Sequence, residues 1–137
     1  MDKGTIIPAR SVALDKFRAD LANWPTLWAV QHGDVAIGHR IVESVHPFLL
    51  DLLQQGLADN TLARHLEHLQ MLGGEIIRRR QNDADLTKQP VADLLLNFVE
   101  EDGGPLIWPR ITESAQNAFD ATCRKLHRFL NQHKNPG

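Results

Sequence analysis

Residues 48–72, FLLDLLQQGLADNTLARHLEHLQML, decide how this chain is read. They give a helix, a tight stop and a second helix. Gly56 can take the left-handed conformation that closes a helix without steric cost, and Leu57 supplies an apolar residue to pack back on the last turn. Asp59 or Asn60 then stands where a side-chain oxygen caps the next helix by accepting a backbone N–H. In that helix Leu62, Leu66, Leu69, Leu72 and Ile76 recur at the spacing of a core-facing stripe, while Arg64, His68, Met71, Glu75 and Arg79 take the other face.

Towards the N-terminus, Gly4 and Pro8 without periodicity read as a loose leader over 1–10. Ser11 is a cap candidate for a helix carrying Leu14, Phe17, Leu21 and Trp24, which Pro25 is expected to stop. Trp24 and Trp28 either dock this arm on the rest of the fold or present an aromatic patch to a protein partner or a second copy. From about Val35 the residues Ile37, Ile41, Val45, Phe48 and Leu52 form a broad apolar stripe. Pro47 within it predicts that the helix restarts near His46.

Towards the C-terminus, the second helix runs to about Arg80. Gly73-Gly74 late in its pattern marks either close packing or an early end. A polar loop follows, then Pro90 opens a short apolar helix of Val91, Leu94, Leu95 and Phe98 that ends at the acidic run 100–102. That run, at a helix C-terminus, is placed against the macrodipole, so it is either a solvated end or the counterpart of a basic surface. Thr112 is placed to cap a last helix with Ala115, Phe119, Thr122, Cys123, Leu126 and Leu130 inward. The architecture expected is all-α: a four-helix bundle over 37–137 with an additional N-terminal helical arm over 1–36.

The order of these helices resembles the core-binding domain of tyrosine recombinases, the phage-integrase-like enzymes. Phe48-Leu49, Gly56-Leu57 and Asn60-Thr61-Leu62 with the spaced leucines carry the likeness, extended by Gln89-Pro90-Val91 and a last helix that ends in Asn135-Pro136. Ala58 stands where that family often has a capping serine, and His65 where it usually has a tyrosine. The resemblance implies a SAM-like bundle that contacts duplex DNA through its second and fourth helices. It does not imply strand transfer by this chain, which contains no tyrosine to act as the nucleophile.

The charges fit that expectation locally rather than globally. A net charge of -2 argues against a polycation that coats nucleic acid, yet the charge is segregated. Over 110–134, Arg110, Arg124, Lys125, Arg128 and Lys134 stand against Glu113 and Asp120, a net of +3. Over 83–102, Lys88 stands against six acids, a net of -5. Asn117, Arg124, Lys125 and Arg128 share one sector of the last helix, and Arg64, His68 and Arg79 share one side of the second. These seven are the expected DNA-contacting residues. The run Arg78-Arg79-Arg80 reads as a phosphate clamp or as cations well placed at a helix C-terminus.

No enzyme chemistry is expected. Two histidines at His65 and His68, or Cys123 with His127, supply two ligands and not a metal site. Cys123 falls in an apolar stripe, away from the electropositive setting a reactive thiol needs. No cofactor motif and no apolar run long enough to cross a bilayer appear, and the single cysteine with an N-terminus unlike a secretory signal leads to a cytoplasmic expectation.

Overall fold

The computed structural model describes residues 9–134, with side chains from 18 to 132. The expected leader over 1–10 lies outside the described residues as far as 8, but α1 begins at Ala9, so 9–10 are helical and Ser11 is not its cap. The side chains of Ser11, Leu14 and Phe17, and Asn135-Pro136, also lie outside the described residues. Among the described residues the fold is all-α: α1 (Ala9–Trp28), α2 (Asp34–Gln54), α3 (Asp59–Asn82), α4 (Val91–Phe98) and α5 (Glu113–Lys134), with a 3-10 turn at Leu86–Lys88. No helix among them is long and apolar enough to cross a membrane.

The α2–α3 corner forms as its sequence requires. Gly56 has φ +69, and Leu57 is half-buried against the core. The α3 cap differs from expectation: the chain turns helical one residue early, so Ala58 is the extended N-cap and no side chain caps it. Asp59 then lies in the first turn, where its charge still favours the macrodipole. At α5, Thr112 Oγ1 accepts the Ala115 N–H at 3.0 Å, as expected of a cap.

Neither proline breaks its helix. Pro47 lies inside a continuous α2 rather than at a restart, because it faces solvent, and so does Glu43, whose freed carbonyl water can satisfy. Pro25 does not stop α1, which continues to Trp28. It is buried against Gly38 of α2, in space that the absent side chain leaves open, between two buried tryptophans. After α1 the chain turns on Asp34, whose Oδ2 accepts the N–H groups of Val30 and Gln31 at 3.0 and 2.8 Å and the Gln81 amide at 2.6 Å.

One apolar cluster joins all five helices. Leu21, Trp24 and Trp28 of α1 meet Ile41, Phe48 and Leu52 of α2, Leu69, Leu72 and Ile76 of α3, Leu94 and Leu95 of α4, and Phe119 and Leu126 of α5. The tryptophans therefore dock α1 and do not form a partner patch: Trp24 is 3% exposed and Trp28 is 8% exposed. Trp28 Nε1 donates to the Gln70 carbonyl at 2.9 Å, and its ring lies on Gly73 and Gly74. Close packing, not an early end, explains that glycine pair. Met71, expected on the outer face, is half-buried against the core.

A methyl group at Gly73 would collide with the Trp28 ring. Gly73→Ala should therefore destabilise the fold by about 1–3 kcal/mol despite alanine's better helix propensity. In a Trp28→Phe background, where the shorter ring vacates that space, the same substitution should cost less. Urea melts of the four proteins measure this coupling, and additive effects would show that ring and glycine do not meet.

Candidate nucleic-acid interface

The expected basic residues come from α3 and α5, so the crossing of those helices defines the site. They run antiparallel: Thr122 meets His65 and His68, while Arg110, ahead of α5, meets Glu75 farther along α3. The crossing is built around buried polar groups, two of which, His68 and Glu75, the helical spacing assigns to a surface.

Thr122 Oγ1 lies 2.8 Å from His65 Nδ1 and 2.7 Å from His68 Nδ1. A hydroxyl has one proton, so it donates to one ring and accepts from the other, and the two imidazoles must be opposite tautomers. His65 Nε2 is buried with no partner among the described residues. An orphaned lone pair costs less than an orphaned N–H, which places the His65 proton on Nδ1 and makes Thr122 donate to His68. His68, expected to face DNA, is therefore a core residue, with Phe119 packed edge-on at 6.1 Å. Burial, then the nearby charges of Lys125, His68 and Arg64, pushes the His65 ring down to about 4. Burial likewise lowers His68, with Glu67 opposing and Arg64 assisting.

Farther along, the buried carboxylate of Glu75 gathers three guanidiniums: Arg79 Nε at 2.6 Å, Arg110 Nη2 at 2.8 Å and Arg78 Nη1 at 3.4 Å. Burial alone would raise the Glu75 carboxyl, but the hydrogen bonds and charges of Arg110 and Arg79 overcome it and hold it below the usual carboxylate range. Arg79 also donates to the Leu106 carbonyl at 2.8 Å and lies over the Phe98 ring, so it acts first as a structural pin. Arg78 and Arg79 of this run are thus tied back to the fold, while the Arg80 Nε is buried with no hydrogen-bond partner among the described residues.

The remaining expected residues keep their exposure to different degrees. Arg124 is half-buried and donates to the Asp102 carbonyl at 3.3 Å, which holds the backbone of the acidic turn while Glu100, Glu101 and Asp102 stay solvated. Asn117, Arg64 and Arg128 are exposed and Lys125 is half-buried. Among the described residues, no carboxylate forms an ion pair with Arg64, Lys125 or Arg128. Arg64 and Lys125, from different helices, both act on the His65 ring, and Lys125 and Arg128 share a shallow depression with Asp51, Gln55 and Gln132. Asp51 itself accepts the Gln55 amide at 2.9 Å.

The groups that sequence reasoning missed are Asp34, Glu75 and Gln116, all buried and polar, whereas Thr122 is buried as expected. Burial would raise the Asp34 carboxyl, but the Gln31 and Val30 N–H groups, the Gln81 amide and the Arg80 charge hold it low. Burial, reinforced by Asp120, pushes the Cys123 thiol well up, so it is no thiolate near neutral pH. Among the described residues no three histidine, cysteine or carboxylate side chains group as metal ligands. Comparison with family models, curated proteins and solved structures finds no match to this chain.

The buried histidine gives a pH dependence whose sign is fixed. His65 takes up a proton near 6.5 when unfolded and only near 4 when folded, so stability is full above 6.5 and is lost as pH falls between those values. From about pH 7 to pH 5 the His65 part of the loss should be about 2 kcal/mol, before the lowered His68 ring and the low Glu75 and Asp34 carboxyls add to it. His65→Leu should remove most of this slope in urea melts; an unchanged slope would show that the ring is not the titrating group.

Proposed function

We propose that this chain is a non-catalytic DNA-binding protein, similar in plan to a recombinase core-binding domain, that holds duplex phosphates on the α3–α5 surface. The observation that carries the reading is that Arg64 on α3 and Lys125 on α5 adjoin the His65–Thr122 contact in the chain, that Lys125 and Arg128 line one depression, and that none of the three is ion-paired to a carboxylate among the described residues. Asn117 extends that surface along α5, and Arg124 lies at its edge. Lys125 and Arg128 are one turn apart on α5, the spacing at which like charges repel, and a phosphate between them removes the repulsion. His68 and Arg79 are not part of the surface. A cytoplasmic setting goes with such a partner.

A protein-binding reading is favoured by a different feature, an apolar groove between α2, α4 and α5 lined by Pro47, Ala92, Leu95, Leu96, Phe129 and Leu130. It would make the chain an interaction module in which 94–107, rather than the buried Trp24 and Trp28, meets a partner.

Salt separates the two, because phosphate contacts release counterions and an apolar groove does not. The triple variant Arg64→Gln, Lys125→Gln, Arg128→Gln should fold as the parent does. It should flatten the slope of log affinity against log salt for an arbitrary duplex by about two to three units. Fluorescence anisotropy reads this, and an unchanged slope in the folded variant would remove the α3–α5 surface as the contact.

A further inference from the structure

Within the loop between α4 and α5, the stretch 105–109 has a pinned backbone and exposed apolar side chains. Gln116 Oε1 accepts the N–H groups of Ile107 and Trp108 at 2.8 and 2.9 Å, and its Nε2 donates to the Pro105 carbonyl at 3.2 Å and to Asp120 at 2.9 Å. Arg79 holds the Leu106 carbonyl, and Arg110 returns to Glu75. Despite these pins, Leu106 is 61% exposed and Trp108 is 49% exposed, whereas the other two tryptophans are buried.

Beyond the solvated acids Glu100, Glu101 and Asp102 at its start, the loop meets basic charge at its Trp108 end. Arg78, Arg79 and Arg110 surround a single carboxylate, leaving two positive charges in excess, and each guanidinium keeps a third to a half of its side-chain surface in water. Glu113, in the first turn of α5, is the next acid along the chain and is exposed. A flat aromatic surface held still beside excess guanidinium charge is complementary to a ligand that is both aromatic and anionic.

We propose that Trp108 is a stacking platform for an unpaired base of a nucleic-acid strand, with Arg78 and Arg110 meeting the adjoining phosphates. This surface is separate from the Arg64, Lys125 and Arg128 surface, and it would give the protein a preference for frayed or single-stranded ends over uninterrupted duplex. Stacking suits such a role because every base offers a π-face, so no sequence need be read. Pinning the backbone beforehand lowers the ordering cost on binding.

The test measures anisotropy with three labelled probes: a blunt duplex, the same duplex with a short unpaired thymidine tail, and oligothymidine alone. Trp108→Ala should lose about tenfold in affinity for the tailed duplex and for oligothymidine, leave blunt-duplex binding unchanged, and be largely rescued by Trp108→Phe. Oligothymidine should also quench the tryptophan emission of the wild-type protein, since Trp108 is the exposed ring, and fail to do so in Trp108→Ala. Wild-type binding of the tailed duplex no tighter than the blunt one, or Trp108→Ala binding it as the wild type does, would overturn the proposal. So would iodide access to Trp108 that falls with protein concentration alone, which would make the loop a contact between copies of the chain. Loss of blunt-duplex binding in the wild type with Trp108-dependent oligothymidine binding intact would sink the α3–α5 reading and leave this one standing.

Discussion

The seat of Trp28 on α3 is the contact that the remaining geometry depends on. An indole ring can lie against a helix backbone only where side chains are missing, and Gly73-Gly74 provides that gap. The indole N–H, which would be costly to bury alone, is satisfied by the Gln70 carbonyl one turn earlier. With Trp28 fixed, Pro25 comes down on Gly38 and draws α1 onto α2, so one ring sets the relation of three helices. The expected arm thus shares the common core, and the aromatic surface it seemed to offer a partner is used up inside the protein.

The same economy applies to charge. Of seven residues expected to face DNA, three are engaged within the fold: His68 by Thr122, Arg79 by Glu75 and the Leu106 carbonyl, and Arg124 by the Asp102 carbonyl. Burying Glu75 is tolerable only because several cations surround it, since a buried charge without partners would cost several kcal/mol. That arrangement ties α3 to the lead-in of α5, and it does so by using Arg79, which the sequence reading assigns to phosphate. What remains free is smaller than the sequence count implies and adjoins the His65–Thr122 contact between α3 and α5.

How far the sequence could be read depends on the range of the interaction involved. Gly56, Thr112 and the stripe of Leu62, Leu69, Leu72 and Ile76 were legible because turn closure, capping and helical spacing are local in the chain. The prolines misled because a proline's effect depends on what faces it. Pro47 faces water and Pro25 faces a glycine thirteen positions on, and neither fact is local. Glu75 and His68 were placed outside for the same reason. Their partners, Arg110 and Thr122, are 35 and 54 residues away, and nothing in the α3 periodicity announces them. The only local hint was a carboxylate four residues before an arginine, which more often marks an exposed pair.

The error along α3 has a regular form that bears on function. At about 100° per residue, Arg64, His68, Glu75, Arg78 and Arg79 all fall within roughly 100° of one another, so they do share one side of the helix, as their spacing indicated. What spacing could not show is that α5 and its lead-in cross that side. They cover its middle, where His68 and Glu75 are buried, and leave its two ends open. Arg64 at one end and the arginines around Glu75 at the other are separated by about 22 Å along the helix, at about 1.5 Å per residue. That is roughly two-thirds of a turn of duplex, whose repeat is about 34 Å. A strand lying along α3 could therefore meet the free cations at one end and the Trp108 loop at the other, with α5 as the ridge between them. The proposed division into a phosphate-holding end and a base-stacking end would then follow from where α5 crosses α3.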